Sequence, residues 1–159
     1  RITKVVNEGK PKGEGRRGHG PKLDAAAKAL GVSTDDLREQ LFGAHPAAEV
    51  LIGEVDGEAA GFALFFHNFS TFLGKRGLYL EDLFVRPAFR GAGLGKHLMA
   101  ALARIAVQRG CGRFEWSVLD CKAPAIGLDR TRGGTGMDEW PVQRLAGDAL
   151  RALASHDAL

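Results

Sequence analysis

Apolar and polar positions along the chain alternate in short extended stretches and recur at helical spacing in longer ones. Residues 2–6, rich in β-branched side chains, predict a strand. Residues 23–30 have helical spacing and close on Gly31, and Ser33 or Thr34 then offers an N-cap for a second helix. Asp35 and Asp36 fall in its first turn, Leu37, Leu41 and Phe42 on its apolar side, and Gly43 and Pro46 at its end. Residues 49–55 and 58–66 flank Asp56-Gly57, a strong hairpin signal. Both faces of 58–66 are apolar, with Phe62, Leu64 and Phe66 alternating with Ala63 and Phe65, so this strand belongs in the middle of its sheet.

Further along, residues 67–72 run polar and aromatic by turns, with Phe69 and Phe72 expected in the core or in a pocket wall, and lead to a loop at 74–77. A strand follows at 78–85, then a helix at 94–109 with Leu94, Leu98, Leu102 and Ile105 on one face. Residues 113–119 predict another strand and 123–130 a short helix entered through Pro124. Residues 139–145 predict an edge strand, restricted by Pro141, and 147–155 a last helix. The elements describe a mixed α/β (α+β) chain, with a basic, Gly/Pro-rich segment at 1–21 and one domain over 22–159.

Charge changes this picture at one end only. The formal net charge is +3, yet Arg1, Lys4, Lys10, Lys12, Arg16, Arg17 and Lys22 face only Glu8 and Glu14, which leaves the remainder slightly acidic. A basic arm for nucleic acid or a membrane surface is the sharper reading of this segment; a solvated linker is the one favoured, because no aromatic residue is interleaved to stack on bases. No apolar run is long enough to span a bilayer, so no membrane role is expected. Cys111 and Cys121, the only cysteines, exclude a disulfide framework and fit a reducing, cytoplasmic setting. His19, His45, His67, His97 and His156 are scattered without ligand spacing, and no metal is expected.

The candidate chemistry lies in the glycine-rich turn between the 78–85 strand and the 94–109 helix. Bare backbone at a helix N-terminus cradles anions, because converging N–H groups and the helix dipole both favour negative charge. A Walker A loop is excluded: Gly91 is one residue too close to Gly95, and His97 follows Lys96 where a hydroxyl should stand. A dinucleotide-binding fingerprint fits poorly, since the glycines fall at 91, 93 and 95 and do not directly follow Val85, although Asp120 does end the next strand.

What survives is Arg90-x-x-Gly93-x-Gly95 after a Val-Arg-Pro turn, and this resembles the signature loop of the GNAT superfamily of acyl-CoA-dependent N-acyltransferases. Tyr79-Leu80-Glu81-Asp82-Leu83-Phe84-Val85, Arg90-Gly91-Ala92-Gly93-Leu94-Gly95 and Pro124-Ala125-Ile126, in that order, are similar to the diamine (spermidine/spermine-type) acetyltransferase branch. The likeness runs over residues 32–154. It implies a single-domain, mostly antiparallel mixed sheet flanked by helices, acetyl-CoA as co-substrate, and a small primary amine or polyamine as acceptor. It further implies that Leu83, Phe84 and Val85 lend backbone groups to the pantetheine arm, and that Arg90, Gly91, Ala92, Gly93, Leu94, Gly95 and Lys96 wrap the pyrophosphate. Lys122, Ala123, Pro124 and Ala125 would touch the cofactor again, and Glu81 and Asp82 would draw the cationic amine. Members of the branch commonly form homodimers through a C-terminal strand, the place where Pro141 stands here.

The chain departs from the family where the reaction needs a proton. An amine with a lysine-like pKa near roughly 10.4 must be deprotonated to attack, and the departing thiolate leaves more readily when protonated. The family supplies the second proton from a tyrosine; the matching position here is Asp129, which at a reference pKa near roughly 3.9 is ionised at neutral pH. Tyr79 is the only tyrosine. Cys121-Lys122 and Gly127-Leu128 also replace the usual residues, and the first 31 residues do not match the family's opening strand and helix. Two readings follow, a weakened acetyltransferase and a non-catalytic acyl-CoA-binding protein.

Overall fold

The computed structural model describes residues 2–7, 27–28, 31–118, 135–137, 139, 142–144 and 146–154. The chain forms two compact units, residues 1–117 and 118–159. The first holds a five-stranded sheet in the order β1-β2-β3-β4-β5, built from β1 (Ile2–Asn7), β2 (Glu49–Val55), β3 (Glu58–Ser70), β4 (Lys75–Val85) and β5 (Arg113–Trp116). The first three pairings are antiparallel and β4 pairs with β5 in parallel. A parallel neighbour needs a crossover, and α2 (Leu94–Gln108) supplies it. A second helix described in this unit is α1 (Thr34–Phe42). This is the mixed, mostly antiparallel α/β architecture expected, with β3 in the middle as its two apolar faces require. The opening segment, unlike the family by sequence, nevertheless supplies an edge strand: β1 pairs with β2.

Each face of the sheet is sealed separately. Against α2, Leu51, Ala63, Phe65, Leu78 and Leu80 pack on Leu94, Leu98, Leu102 and Ala106. On the opposite face Val50, Ile52 and Phe62 pack with Ala27, Leu37 and Leu41. Helix α1 begins as its capping residues dictate, Asp36 N–H donating to Ser33 Oγ at 3.4 Å, with Asp35 and Asp36 in the first turn. The far end of α2 is fastened to the sheet: Arg109 grips Glu49 through both terminal nitrogens (Nη2 to Oε2 2.8 Å) and lies 5.8 Å over the Phe65 ring. That hydrogen bond keeps the Arg109 pKa above its usual value. Beside them burial, and then the Arg109 charge, push the His67 imidazole below its ordinary 6.5, outweighing the nearby Glu49.

Three local expectations are corrected. Residues 75–77 are not loop but the start of β4: the turn lies at 71–74, where Gly74 takes φ 60° and Leu73 N–H caps back to Ser70 Oγ, and Lys75 pairs with Ser70. Phe69 and Phe72, expected in the core or a pocket wall, are 61% and 88% exposed at this hairpin end. In the second unit, the described residues of 139–145 form no strand; Pro141 and its neighbours read as strand only through isolated apolar positions. Helix α3 (Gly147–Ala154) forms where predicted, carrying an Arg151–Asp148 ion pair. Of the helix expected at 23–30, residues 27–28 are described and are helical. The short helix expected at 123–130 lies outside the described residues.

Candidate active site

The site assembles where β4 stops being an ordinary strand. Leu64 pairs with Asp82 but the next residue, Phe65, pairs with Leu80, so Glu81 is an extra residue: a β-bulge in β4. On the other edge, pairing with β5 ends at Leu80↔Trp116. Among the described residues β4 therefore runs from Glu81 to Val85 with β3 on one side and an unpaired edge on the other. Leu83 and Glu81 are exposed, and Asp82, Phe84 and Val85 are half-buried. Asp82 shares the face of its partner Leu64, while Glu81 stands outside the pairing altogether.

Directly after this free edge the chain turns through Arg86 and a 3-10 turn at Pro87–Phe89 into the glycine loop. Arg86 N–H donates to Ala60 O at 2.9 Å, its Nη1 to Glu58 Oε1 at 2.5 Å, and its guanidinium lies 5.2 Å over Phe89. Arg90 Nε donates to Val85 O at 2.9 Å, folding the loop back on the end of β4. The loop then enters α2 through Gly93, whose φ of 85° is a left-handed value that only glycine adopts at little cost.

The N-terminus of α2 is left open. It has no side-chain cap and no acidic residue in its first turn, so the N–H groups of Leu94, Gly95 and Lys96 lack helical partners. A Cβ added at Gly91 or Gly95 would meet nothing within 4 Å, and at Gly93 only His97 Nδ1 at 3.9 Å. Space above bare backbone, three unpartnered donors and the exposed side chains of Arg90 and Lys96 form a receptacle that fits a pyrophosphate. Leu94 contributes backbone alone, because its side chain is 1% exposed in the core. It sits there against Gly53 and Gly61, where a Cβ would come within 2.7 Å and 3.3 Å of it.

The structure thus brings Glu81, Asp82, Leu83, Phe84, Val85 and residues 90–96 into one continuous stretch. Asp129, Lys122, Ala123, Pro124 and Ala125 lie outside the described residues. The bulge was not foreseen from sequence; its one trace is a pair of carboxylates interrupting an apolar strand. Two polar contacts were also missed, Tyr79 Oη to Ser117 Oγ at 2.6 Å and Asn68 Nδ2 to Glu115 Oε2 at 3.0 Å, which only the register of three strands reveals. Among the described residues no group of three His, Cys, Asp or Glu is placed to hold a metal ion, and no helix is long and apolar enough to cross a membrane.

A strand edge unpaired among the described residues thus runs into a glycine-rich helix N-terminus, an arrangement suited to a phosphate-bearing ligand. The Acetyltransferase (GNAT) family model matches residues 23–133, and the chain belongs to that family. Among its relatives is the thialysine N-epsilon-acetyltransferase of Sus scrofa, 34% identical over 134 residues, a match covering 77% of this chain and 78% of that protein. The L-ornithine N5-acetyltransferase of Arabidopsis thaliana is 46% identical over 98 residues, 62% of this chain; the match spans 43% of that protein's own length. Among solved structures, an integron cassette protein from the mobile metagenome of V. cholerae superposes with a TM-score of 0.74 at 26% identity, covering 95% of this chain and 98% of that one. An aminoglycoside N-acetyltransferase in complex with CoA has a TM-score of 0.66 at 21% identity, covers 91% of this chain and 100% of that one, and shares the fold.

Proposed function

We propose that this chain transfers the acetyl group of acetyl-CoA to a primary amine of a small molecule or polyamine, by direct attack with both substrates bound. The observation that carries the reading is the continuity of the free β4 edge with the open N-terminus of α2. Residues 83–85 would take the pantetheine arm as an added strand and residues 90–96 the pyrophosphate, with residues 122–125 a further contact. The named substrates of the relatives, thialysine and ornithine, both carry a primary amine at the end of a short chain.

In this reading Glu81 and Asp82 hold the ammonium beside the thioester, and a water between them and the amine removes its proton. The nitrogen then forms a bond to the acetyl carbon as the carbon–sulfur bond breaks, and the thiolate takes up one proton. Water, Cys121 or a protonated Asp129 would give that proton. A carboxylate is a poor donor at neutral pH unless burial raises its pKa, so turnover is slow. We read the chain as acting in the cytoplasm and as a homodimer, following the cysteine content and the diamine branch it resembles.

A thiol-release assay with acetyl-CoA against diamines, polyamines and thialysine-like amino acids tests the proposal. Weak, amine-dependent release is expected, and Asp129→Tyr should raise it by about tenfold or more, within the range of general acid catalysis. An unchanged rate in Asp129→Tyr overturns the account of the acid. Heat-stabilisation by acetyl-CoA with no thiol release from any amine would instead identify an acyl-CoA-binding protein, the reading that the missing tyrosine favours.

A further inference from the structure

In the binding mode proposed above, acetyl-CoA lies on two surfaces at once, the β4 edge at 83–85 and the cradle at 90–96. Residues 86–89 join those surfaces, and Arg86 fixes how they meet. Arg86 N–H donates to Ala60 O at 2.9 Å, one step past the last β3–β4 pair at Gly61↔Val85. Its side chain then reaches back to the first hairpin, where Nη1 donates to Glu58 Oε1 at 2.5 Å and to Ala59 O at 2.9 Å. The same guanidinium lies over the Phe89 ring, 5.2 Å from its centre.

Phe89 ties the turn down from its other end. Its N–H donates to Arg86 O at 2.9 Å, and its half-buried ring packs against the core between α2 and the sheet. At the next residue Arg90 Nε donates to Val85 O at 2.9 Å, closing the mouth of the turn. The Arg86 side chain thus links the first hairpin, through two oxygens, to the last residue before the cradle, through a ring. A guanidinium suits this because it is charged and flat; a lysine is a compact point charge without a face to lay on the ring. The clamp contributes little to folding. The Arg86 and Glu58 side chains are 44% and 59% exposed, and solvent-exposed ion pairs of this kind are close to neutral for stability. What these contacts do fix is the distance and angle between the strand edge and the cradle.

We propose that Arg86 is a positioning residue for acetyl-CoA, holding the β4 edge and the cradle at the separation that lets one molecule engage both. This role rests on the acyl-CoA reading above and adds to it the part that aligns the two halves of the site. Two ligand halves joined in one molecule bind more tightly than either alone only when the geometry allows both to engage together. A turn loosened by loss of Arg86 forfeits that gain. Each surface by itself stays intact, because Arg86 supplies neither the backbone at 83–85 nor the open N–H groups at the start of α2.

Calorimetry on the full chain compares acetyl-CoA with its two halves, S-acetylpantetheine for the strand edge and ADP for the cradle, in the parent and in Arg86→Met, Arg86→Lys and Glu58→Gln. Arg86→Met should raise the Kd of acetyl-CoA by about tenfold or more and that of each half by less than about twofold, with Tm within a few degrees of the parent. Arg86→Lys should recover part of the affinity. Glu58→Gln, which removes only the carboxylate charge, should show a smaller loss of the same kind, and it carries the test should Arg86→Met not fold. A loss shared by acetyl-CoA and ADP alone would mean that Arg86 touches the phosphates directly, and equal losses for all three ligands with a lower Tm would mean a merely structural clamp; either result overturns the proposal. An unchanged Kd for acetyl-CoA in Arg86→Met overturns it as well and leaves the acyl-CoA reading standing, whereas a parent that does not bind acetyl-CoA overturns both. If acetyl-CoA binds in an Arg86-dependent way yet no amine releases thiol, the catalytic reading fails and the positioning role stands.

Discussion

Gly95 is the second residue of α2, where almost any other residue would make a better helix, and its backbone needs no left-handed angle. Gly95→Ala should therefore leave stability unchanged or raise it by up to about 1 kcal/mol. The added methyl, which meets no protein atom within 4 Å, would occupy the cradle itself. An unshifted or higher Tm, with a Kd for acetyl-CoA raised about tenfold or more, is the expected pair of results. A lower Tm with unchanged affinity would place the pyrophosphate elsewhere.

His67 makes the opposite kind of contribution, to stability and not to the site. Desolvation first, and the Arg109 charge second, hold its folded pKa below 6.5. In the window below that value the unfolded chain binds a proton that the folded chain refuses, so this contribution is intact above pH 6.5 and is lost as pH falls through the window. Thermal melts between pH 7.5 and 5.5 should show Tm falling with acid, and His67→Gln should flatten part of that slope, at most the one-proton limit of about 1.4 kcal/mol per pH unit.

Among the elements, the seat of α2 on the sheet depends on small residues opposite Leu94. A Cβ at Gly61 would lie 2.5 Å from Phe84 O and 3.3 Å from Leu94 Cδ2. Gly61→Ala should cost about 1–3 kcal/mol through overpacking and, by pushing on the backbone of β4, lower turnover as well. Denaturant melts and thiol release check the two effects; loss of stability with full activity would show that the β4 edge is not held from beneath.

The elements that sequence made legible are those with local signals. Asp56-Gly57 defined the first hairpin, Ser33 or Thr34 the start of α1, and four leucine or isoleucine positions the buried face of α2. Lys75, Arg76 and Gly77 misled because their composition is that of a turn, while their strand state comes from pairing with residues 68–70. Residues 139–145 misled for the complementary reason, being apolar enough for an edge strand in a place where the described residues do not pair.

For the molecule as a whole, the site was legible as two motifs in sequence and not as a place. The glycine loop and the Glu81-Asp82 pair could be read directly, but their shared edge is made by three pairings: β3 with β4 on one side, the end of β5 on the other, and the packing of α2 beneath. The contact between Asn68 and Glu115 had no sequence trace, because each residue stands alone in the chain and the two meet only through register.

Strands count residues in twos, and Glu81 is the odd one left over. Leu80 faces α2 and Asp82 faces away from it, as consecutive residues of a regular strand would, so removing Glu81 leaves every other side chain of β4 on its present face. Elsewhere in this strand a one-residue deletion would turn the core outward; here it would merely straighten the chain. The Glu81 deletion should keep its Tm within a few degrees of the parent and abolish turnover, as a differential melt and a thiol-release assay would register. With that pair of results, a single codon would separate reaction from silence in an otherwise unaltered fold.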